Sequence, residues 1–382
     1  MTPLGVLITG GAGFIGSRLA RRLATDGHRV VILDSLVEQV HGDGAPDWFR
    51  AAGVEAIWAD VRDEAALRGA LRGVDVVHHL AAETGVGQSQ YAIGRYVEVN
   101  SYGTAVLLQA AVDAGVRQVV LASSRAVYGE GMCRCPRCGT VHTGLERDPA
   151  DMDAGRFEPR CPNGCGPTQA YPTSEDAAAA PTSIYGLTKL HQEQLVRATS
   201  QIYGLAPTVL RMFNVYGPGQ SLRNPYTGVL GTFFRRARSG QPVELYEDGL
   251  MLRDLVFVDD VVEVFRRCTG DAGAQGKTYN VGSGQAVTLA ELATTLFSAM
   301  EIEPRMDVSG RYRVGDVRHA VADTARLGRE LGYLPATALD DGLAAFAAWA
   351  AVNAADAPDR FAEDELESRR LLRQAAPSSL SP

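Results

Sequence analysis

The sequence predicts an α/β protein in which a doubly wound parallel sheet is joined to a smaller C-terminal lobe and a small cysteine-rich insert. In the first half, short β-rich apolar runs alternate with amphipathic stretches rich in Ala, Leu and Arg, an alternation typical of a parallel sheet covered by helices on both faces. A compositional break at about residues 131–168 has no helical period and is rich in Cys, Pro, Gly and Arg, which indicates an inserted module.

The apolar runs define the expected order of elements. Parallel strands are predicted at residues 6–9, 30–33, 56–58, 74–78 and 118–122, followed after the insert by a helix at 183–203 and a strand at 208–213. The predicted organisation is a sheet domain (1–130 and 169–216), the insert (131–168), a second lobe (217–350) and a tail (351–382) with the composition of a partly disordered end.

Composition and charge argue against several classes of protein. With 46% hydrophobic and 21% charged residues, the chain of 382 residues is expected to form a large globular core. Its net charge of -8 argues against a nucleic-acid partner, because neutralising phosphates requires a basic face. No apolar run approaches the ~18 residues of a membrane span, and no basic, cleavable leader precedes the first strand. We therefore expect a cytoplasmic protein without membrane contact.

A glycine-rich turn follows the first predicted strand. Gly10, Gly13 and Gly16 lie between that strand and an Ala/Leu/Arg-rich helix. The first glycine allows a tight turn, the second lets backbone N–H groups approach a pyrophosphate at the positive helix end, and the third allows close packing of helix and strand. The motif therefore predicts a dinucleotide site on a Rossmann fold.

Asp34 ends the second predicted strand, about twenty residues after the glycine turn, where such folds place an acid. A carboxylate there would accept hydrogen bonds from the adenosine ribose hydroxyls and repel a 2′-phosphate, so NAD is predicted rather than NADP. The alternative is a loop carboxylate that only ends a strand. Further residues expected beside the cofactor follow the third and fourth strands: Asp60, Val61, Leu80, Ala81 and Ala82.

Tyr185 and Lys189 are four residues apart, so on a helix both side chains project from one face. An ammonium group near a phenol lowers the pKa of the phenol by stabilising phenolate, which predicts that Tyr185 acts as a base. Ser124 lies at the end of the fifth predicted strand, where ligands lie over an open α/β sheet, and could share a substrate hydroxyl with Tyr185. Taken alone, the Tyr-x-x-x-Lys spacing also fits a solvated helix face.

Together these motifs resemble the extended short-chain dehydrogenase/reductases of the nucleotide-sugar epimerase/dehydratase family, over residues 4–349 apart from the insert. The resemblance implies that Ser124, Tyr185 and Lys189 are catalytic, that Lys189 also holds the nicotinamide ribose, and that Asn100 lies in a helix behind the active site. The implied NAD-binding set is Gly10, Gly13, Phe14, Ile15, Gly16, Asp34, Ser35, Asp60, Val61, Leu80, Ala81, Ala82, Asn100, Ser123, Tyr185, Lys189 and Phe213.

The same resemblance implies a nucleoside-diphosphate sugar as the substrate. It assigns Asn214 to the diphosphate, Tyr246 to the base and Asp316 to a ribose hydroxyl. Arg253 and Arg313 follow as cations whose planar guanidinium groups suit phosphate oxygens, although each residue alone would equally fit a surface salt bridge. The predicted substrate set is Thr84, Gly85, Ser124, Arg125, Asn214, Val229, Tyr246, Arg253, Arg313 and Asp316.

The residues after Ser124 bear on the type of reaction. Within the family, 4,6-dehydratases resemble one another in having Asp-Glu there, whereas this chain has Arg125 and Ala126. Without that carboxylate pair we expect 4-epimerisation, in which C4 is oxidised to a ketone and hydride returns to the opposite face. Residues 217–230 and the insert most resemble sequences assigned as dTDP-L-rhamnose 4-epimerases, and UDP-glucose and UDP-glucuronic acid are the alternative substrates.

Other interpretations of the same motifs stay open at this point. A reductase or decarboxylase acting on a nucleotide sugar would use a similar site, and a reductase would consume NADH. A non-catalytic NAD-sensing protein would tolerate the loss of Tyr185 and Lys189. The family resemblance also implies a homodimer formed by paired helices around residues 91–115 and 183–204.

Five of the six cysteines are crowded between Cys133 and Cys165. In a reducing compartment this favours a metal over disulfides. Two short knuckles, about twenty residues apart, have a spacing close to that of zinc ribbons and predict a structural Zn²⁺ site. Cys133 and His142 are alternative ligands, and idle thiols in a mobile loop or a redox switch are the alternatives to a metal. The predicted ligands are Cys135, Cys138, Cys161 and Cys165.

Overall fold

Seven parallel strands form the central sheet of the computed structural model, which describes residues 2–42, 46–224, 226, 228–353 and 363–376. In chain order they are β1 (Gly5–Thr9), β2 (Arg29–Asp34), β3 (Glu55–Trp58), β4 (Val76–His79), β5 (Gln118–Ser124), β6 (Ala206–Met212) and β7 (Lys277–Val281). Across the sheet they follow the order β7-β6-β5-β4-β1-β2-β3, and every neighbouring pair is parallel. The predicted doubly wound sheet is confirmed, with strand ends that shift by one or two residues.

Helices cover both faces of this sheet and build the second lobe. In chain order they are α1 (Phe14–Thr25), α2 (Glu38–His41), α3 (Trp48–Ala51), α4 (Glu64–Ala70), α5 (Val86–Ser89), α6 (Ile93–Tyr96), α7 (Gly103–Asp113), α8 (Pro149–Asp153), α9 (Ile184–Tyr203), α10 (Val229–Arg238), α11 (Val258–Cys268), α12 (Leu289–Ala299), α13 (Ala325–Leu331), α14 (Leu339–Asn353) and α15 (Glu363–Ser368). A π-helical turn, Val97–Tyr102, joins α6 to α7. None of the helices in the described ranges combines the length and apolar character that crossing a bilayer requires.

Burial on both faces explains why β1 is apolar along most of its length. Val6 and Ile8 pack into a cluster on one face of the sheet, with side chains of α1 and α11, whereas Leu7 packs into a cluster on the other face, with side chains of α4 and α7. Successive side chains of a strand point to opposite faces, so a strand covered by helices on both sides has no polar face.

Elements from the second half of the chain also pack with this sheet. β7 pairs with β6 at the sheet edge, and α11 packs against α1, with Phe265 and Cys268 in the shared core. The sequence analysis placed both segments in the second lobe (217–350) because they follow a loop-rich region of the chain. The range 217–350 therefore includes elements that belong spatially to the sheet.

In the second half of the chain, α10, α12 and α14 build a separate apolar cluster. The strand pairs around it are Asn214–Tyr216 with Leu255–Phe257, Val243–Leu245 with Met306–Val308, Leu252–Arg253 with Val287–Thr288 and His319–Ala320, and Arg311–Arg313 with Leu372–Gln374. The last pair brings part of the predicted tail (351–382) back onto the lobe. Residues 354–362 and 377–382 of that tail lie outside the described residues.

The cysteine-rich insert has a small sheet but no independent apolar core. Its strand pairs are Met132–Arg134 with Val141–Thr143 and Gln169–Tyr171, and Arg160–Cys161 with Gly166–Pro167. The sheet therefore extends past the predicted boundary at residue 168. Met152 and Phe157 of the insert pack with Tyr312 and Ala375 of the C-terminal half. The insert depends on these contacts because its own apolar side chains are few.

We expect Phe346→Ala to destabilise the second lobe. Phe346 is fully buried in α14 and packs edge-on against Phe234, with ring centres 5.8 Å apart. Loss of a buried aromatic ring leaves a cavity and costs about 3–5 kcal/mol of the free energy of unfolding, which urea and thermal unfolding would measure. The matched control is Val352→Ala, which changes an 80% exposed side chain of the same helix and should have little effect. Equal stabilities of the two variants would contradict the assigned core.

Candidate active site

A cleft of about 980 Å³ lies at the carboxyl ends of the central strands. It opens beside β1 and β4, where the direction of strand order reverses, and ligands of doubly wound sheets bind at such a point. Every member of the predicted NAD-binding set lines the cleft except Asn100. Thr84, Gly85 and Ser124 of the predicted substrate set line it as well. One surface thus contains both groups of residues.

The glycine turn is required by the close approach of three backbone segments. Gly10 has a φ of +69°, and a Cβ on it would lie 2.8 Å from the backbone nitrogen of Ala81. A Cβ on Gly16 would lie 2.3 Å from the Gly10 carbonyl oxygen. A side chain at either position would therefore push the turn away from β4 or lift α1 from the turn. The N-terminus of α1 faces the cleft closely enough to fit the pyrophosphate of a dinucleotide.

Asp34 ends β2 with its carboxylate turned towards the glycine turn. Oδ2 accepts a hydrogen bond from the Ala12 amide at 3.0 Å, and Oδ1 accepts one from the Leu36 amide at 2.9 Å. His41 Nε2 lies 3.5 Å from Oδ1. These contacts hold the carboxylate at the cleft wall, and each oxygen keeps acceptor capacity for a ribose hydroxyl.

Asp60 also lines the cleft, but its side chain is engaged by a neighbour. Nε and Nη2 of Arg62 each lie 2.8 Å from one of its carboxylate oxygens. These hydrogen bonds lower the pKa of Asp60 against the opposing effect of burial. The carboxylate is therefore charged and held by Arg62 in the cleft wall, where Asp60 was predicted to lie beside the cofactor.

Ser124, Tyr185 and Lys189 all lie on the wall of the cleft. Ser124 is the last residue of β5, and the other two lie one turn apart in α9, whose N-terminus is capped by the Ser183 side chain. The Ser124 side chain lies beside the Tyr185 phenol and acts to lower the pKa of that phenol. Nζ of Lys189 lies 6.0 Å from the centre of the Tyr185 ring. The structure therefore brings the three predicted catalytic residues together.

Burial dominates the electrostatics of the Tyr–Lys pair. It raises the pKa of Tyr185, and the Ser124 side chain and the charge of Arg125 oppose this rise. Burial also lowers the pKa of Lys189 to about 7, although the charge of Glu193 acts in the other direction. Lys189 is not among the groups that shift the pKa of Tyr185 here, so its expected effect on the phenol stays a prediction. Arg125 is the cation that acts on the phenol.

Lys189 is held by groups that the sequence analysis did not identify. Its Nζ donates to the Ala122 carbonyl oxygen at 2.9 Å and to Gln192 Oε1 at 2.8 Å. Gln192 Nε2 in turn donates to Thr104 Oγ1 at 2.7 Å. The i, i+3 spacing of Lys189 and Gln192 on one helix is the sequence signal that would have identified Gln192.

Asn100 does not line the cleft, so its place in the predicted cofactor set needs correction. Its side chain is fully buried, accepts a hydrogen bond from the Glu83 amide at 2.7 Å and donates one to Thr188 Oγ1 at 2.9 Å. It joins the loop after β4 to α9. Asn100 therefore positions two walls of the cleft from behind, because burial between helix and loop separates it from the cleft.

A second pocket of about 180 Å³ adjoins the cleft. Arg125 and Asn214 line both spaces, and the rest of the predicted substrate set that lies outside the cleft lines the second pocket: Val229, Tyr246, Arg253, Arg313 and Asp316. The two spaces thus share a boundary close to the residue that follows Ser124. A ligand spanning both would place one part at the Ser–Tyr–Lys site and another among the arginines.

The charges of the second pocket suit an anion. Burial and the nearby Arg253 lower the pKa of Arg125 to about 10, so Arg125 stays charged at neutral pH. Burial disfavours the charged form of Asp316, but Arg253, Arg313 and Arg125 together hold the pKa of its carboxyl below the usual value. Nε of Arg313 is buried without a hydrogen-bond partner among the described residues. A diphosphate would supply that partner.

Arg253 is engaged with the backbone as well as lining the pocket. Its guanidinium donates to the carbonyl oxygens of Val317 at 3.1 Å and Arg318 at 3.0 Å, and lies 3.5 Å from the carboxylate of Asp316. Arg253, which was predicted from the sequence to bind the diphosphate, therefore also stabilises the loop that carries Asp316.

The C-terminal segment supplies pocket residues that the sequence analysis missed. Glu363, Leu366 and Leu371 line the second pocket. Glu363 accepts hydrogen bonds from Arg236 Nη2 at 2.7 Å and from the Tyr246 hydroxyl at 3.3 Å. No local pattern in the sequence signals this position, because the composition of the segment is that of a tail.

The four predicted metal ligands form one cluster. The Sγ atoms of Cys135, Cys138, Cys161 and Cys165 all lie within 4.8 Å of one another. Those of Cys138 and Cys161 are 3.9 Å apart, close to the ~3.8 Å expected between sulfurs of a tetrahedral zinc site. His142 Nε2 lies 3.4 Å from Cys161 Sγ, at the edge of the cluster, and Cys133 is buried outside it.

Relatives of known name share most of the length of the chain. A dTDP-L-rhamnose 4-epimerase from Burkholderia thailandensis is 37% identical over 350 residues, covering 91% of this chain and 94% of that protein. A UDP-glucose 4-epimerase from Mycolicibacterium smegmatis is 35% identical over 346 residues, covering 88% of this chain and 96% of that protein. A structure of MoeE5 in complex with UDP-glucuronic acid and NAD has a TM-score of 0.72 and 32% identity, covering 91% of this chain and 99% of that one.

The model of a known protein family matches two long stretches of this chain and leaves out only part of the insert between them. The matched residues are 6–145 and 163–282. They include the glycine turn, the Ser124 strand and the Tyr185 helix, and the gap between them falls in the cysteine-rich insert. The chain belongs to the NAD dependent epimerase/dehydratase family.

Proposed function

We propose that this protein is an NAD-dependent nucleotide-sugar 4-epimerase. The observation that carries the proposal is that Ser124, Tyr185 and Lys189 line one cleft, which joins a dinucleotide-type glycine turn to an arginine-rich pocket. A sugar linked to a diphosphate in that pocket would lie with its ring beside the phenol. The glycine turn would hold the pyrophosphate of NAD, Asp34 the adenosine ribose and Lys189 the nicotinamide ribose.

In this proposal Tyr185 removes the proton of the C4 hydroxyl and later returns it. The Ser124 hydroxyl and the charge of Arg125 favour the phenolate that the first step needs. Bound NAD supplies a hydride acceptor and donor. The 4-keto sugar turns its other face towards the site before the hydride returns, so the configuration at C4 is inverted and the cofactor ends as it began.

Arg125 and Ala126 favour epimerisation over dehydration. A 4,6-dehydration needs a base for the C5 proton and an acid for the departing C6 hydroxyl. Both residues line the cleft, and neither side chain supplies a carboxyl group. The closest carboxylate in sequence after Ser124, that of Glu130, is buried and lies 2.8 Å from Arg147.

We further propose dTDP-L-rhamnose as the sugar nucleotide. Support comes from the relative of that name, which is 37% identical over most of the chain. UDP-glucose and UDP-glucuronic acid are the alternatives, since proteins with those names or ligands are also similar. Arg253 and Arg313 would bind the diphosphate that all three compounds share, which leaves Tyr246 and Val229 to contact the base, and Thr84 and Gly85 to contact the sugar.

We also propose that the cysteine cluster binds one structural Zn²⁺. Four cysteine sulfurs at tetrahedral spacing would complete the coordination shell and leave no open position for catalysis. The insert needs such a cross-link because its apolar residues pack on other parts of the chain.

A cytoplasmic homodimer is part of the same proposal. Exposed apolar side chains lie on neighbouring helices, which pack against each other along the outside of the sheet domain: Ile93, Val97, Tyr102 and Leu187. A second copy would bury this surface. A reducing compartment would keep the cysteines available as thiolates for zinc.

Incubation with dTDP-L-rhamnose, UDP-glucose and UDP-glucuronic acid should convert at least one of them to its C4 epimer, detected by NMR, without net NADH formation. Tyr185→Phe should lower kcat by about 10²–10⁴-fold, because it removes the proton acceptor. Tyr171→Phe, at a 39% exposed side chain in the insert, is the matched control and should keep the parent's kcat. An unchanged kcat in Tyr185→Phe, or net consumption of NADH by the parent, would refute the proposed function.

The buried Lys189 should make the stability of the cofactor-free protein depend on pH. Its pKa is about 7 in the folded protein and about 10.4 in the unfolded chain. Between these values only the unfolded chain binds the proton, so the free energy of unfolding rises with pH, by up to about 1.4 kcal/mol per pH unit from this group. Urea unfolding of the parent should show this rise, and Lys189→Met should lack it. If the free energy of unfolding changed with pH in the same way in the parent and in Lys189→Met, the lowered pKa assigned to Lys189 would be contradicted.

Purified protein should contain about one zinc per chain by elemental analysis. Cys138→Ser/Cys165→Ser should lose the metal, because two of the four thiolates are removed. Cys133→Ala is the matched control, since this cysteine is buried near the cluster but lies outside it. Zinc retained by the double variant, or lost from Cys133→Ala, would point to a different ligand set.

A further inference from the structure

Buried charges join the insert to the second lobe. Arg147 of the insert lies 2.8 Å from Glu130 and 2.6 Å from Glu247, and all three side chains are at most 4% exposed. Arg318 also contacts Glu247, at 2.8 Å. Charges with so little access to water are tolerated only when they are paired, so the two arginines and two glutamates hold one another in place.

Glu158 makes a second link from the insert to the same part of the lobe. Its carboxylate lies 2.7 Å from Arg318 and 2.9 Å from His319 Nε2. His319–Ala320 is a strand that pairs with Leu252–Arg253. The insert therefore contacts the strand pair that carries one of the pocket arginines.

These links reach two charged residues of the second pocket through the backbone. Arg147 Nη2 donates to the carbonyl oxygen of Asp316 at 2.8 Å. Arg253 donates to the carbonyl oxygens of the next two residues, Val317 and Arg318. Any displacement of Arg147 would thus move the loop on which both Asp316 and Arg253 depend for their positions.

The insert also contacts the C-terminal wall of the pocket. The Ala376 amide donates to the carbonyl oxygen of Asp153 at 2.7 Å, and the Tyr312 hydroxyl donates to the carboxylate of the same aspartate. The described segment 363–376 lines the pocket through Leu366 and Leu371. The insert therefore contacts two walls of the pocket, which are the loop that carries Asp316 and the C-terminal segment.

We propose that the metal-bound insert positions these two walls of the nucleotide-sugar pocket, with Arg147 as the positioning residue that connects the metal module to Asp316 and Arg253. The inference rests on the proposed function in assigning this pocket to the nucleoside diphosphate. Arg147 and Glu158 both lie in the chain between the two cysteine knuckles. Because the insert has no apolar core of its own, a metal cross-link would help these contacts to keep this stretch in one conformation.

Nucleotide affinity and NAD content, measured on the same preparations, separate this role from a general effect on folding. Calorimetry with dTDP and UDP should show that Arg147→Met raises the Kd of the better-bound nucleotide about tenfold, a size typical for loss of a supporting residue. NAD content should stay unchanged, because Arg147 does not line the cofactor cleft. Arg147→Lys should recover part of the affinity. Arg156→Ala is the matched control, since this exposed insert arginine pairs with Asp151 inside the insert.

Removal of the metal tests the same link without altering Arg147. This experiment decides whether the insert positions the pocket if the Arg147→Met variant does not fold. Removal of zinc from the parent by a chelator should raise the Kd for the nucleotide to a similar extent, and added zinc should restore it. Cys138→Ser/Cys165→Ser should behave like the stripped parent and should not respond to zinc.

Unchanged nucleotide affinity in the stripped parent, or loss of NAD in step with loss of nucleotide affinity, would overturn the positioning role. A parent that binds nucleotide but epimerises none of the three sugar nucleotides would count against the proposed function and not against the insert's role. A parent that binds neither dTDP nor UDP would overturn both.

Discussion

The site depends first on the parallel alignment of the seven central strands. Because all their carboxyl ends reach the same edge of the sheet, the glycine turn after β1, Leu80 after β4 and Ser124 at the end of β5 open onto one cleft, although they are far apart in the chain. α1 can approach this edge only because Gly16 leaves room for the Gly10 carbonyl. The cleft is thus a consequence of topology, and its lining is a consequence of which residues end each strand.

A buried polar network holds α9 against that sheet. Glu193 accepts a hydrogen bond from Ser123 Oγ at 2.6 Å and two more from Arg211 of β6. Tyr128 connects Arg211 to Asn280 of β7, through hydrogen bonds of 2.9 and 2.7 Å. Each member has a partner, so the network avoids the penalty of unsatisfied buried groups and restricts the helix that carries the predicted catalytic pair. The edge strand β7 therefore contributes to the site although none of its residues lines the cleft or the second pocket.

The family match leaves out part of the insert. The second pocket nevertheless shows how the insert is connected to the rest of the fold. Several arginines line the pocket where a diphosphate is proposed to bind. Further buried charges hold these arginines in place. Arg147 and Glu158 supply part of that support from the insert. A small module without its own apolar core is thus joined to the lobe by buried charges, and its cysteine cluster is suited to bind the metal that we propose.

Local sequence by itself determined the glycine turn, the Tyr185–Lys189 pair and the cysteine knuckles, because each is a spacing within a few residues of one turn or one helix. These spacings were enough to predict the family, which is confirmed, and the parallel sheet. Only the tertiary structure decided that β7 forms one edge of the sheet, that Glu363 lines the second pocket, and that Lys189 is buried deeply enough to lower its pKa to about 7. Strand pairing, wall contacts and burial are properties of residues brought together from distant parts of the chain, and such contacts leave no periodic pattern in the sequence.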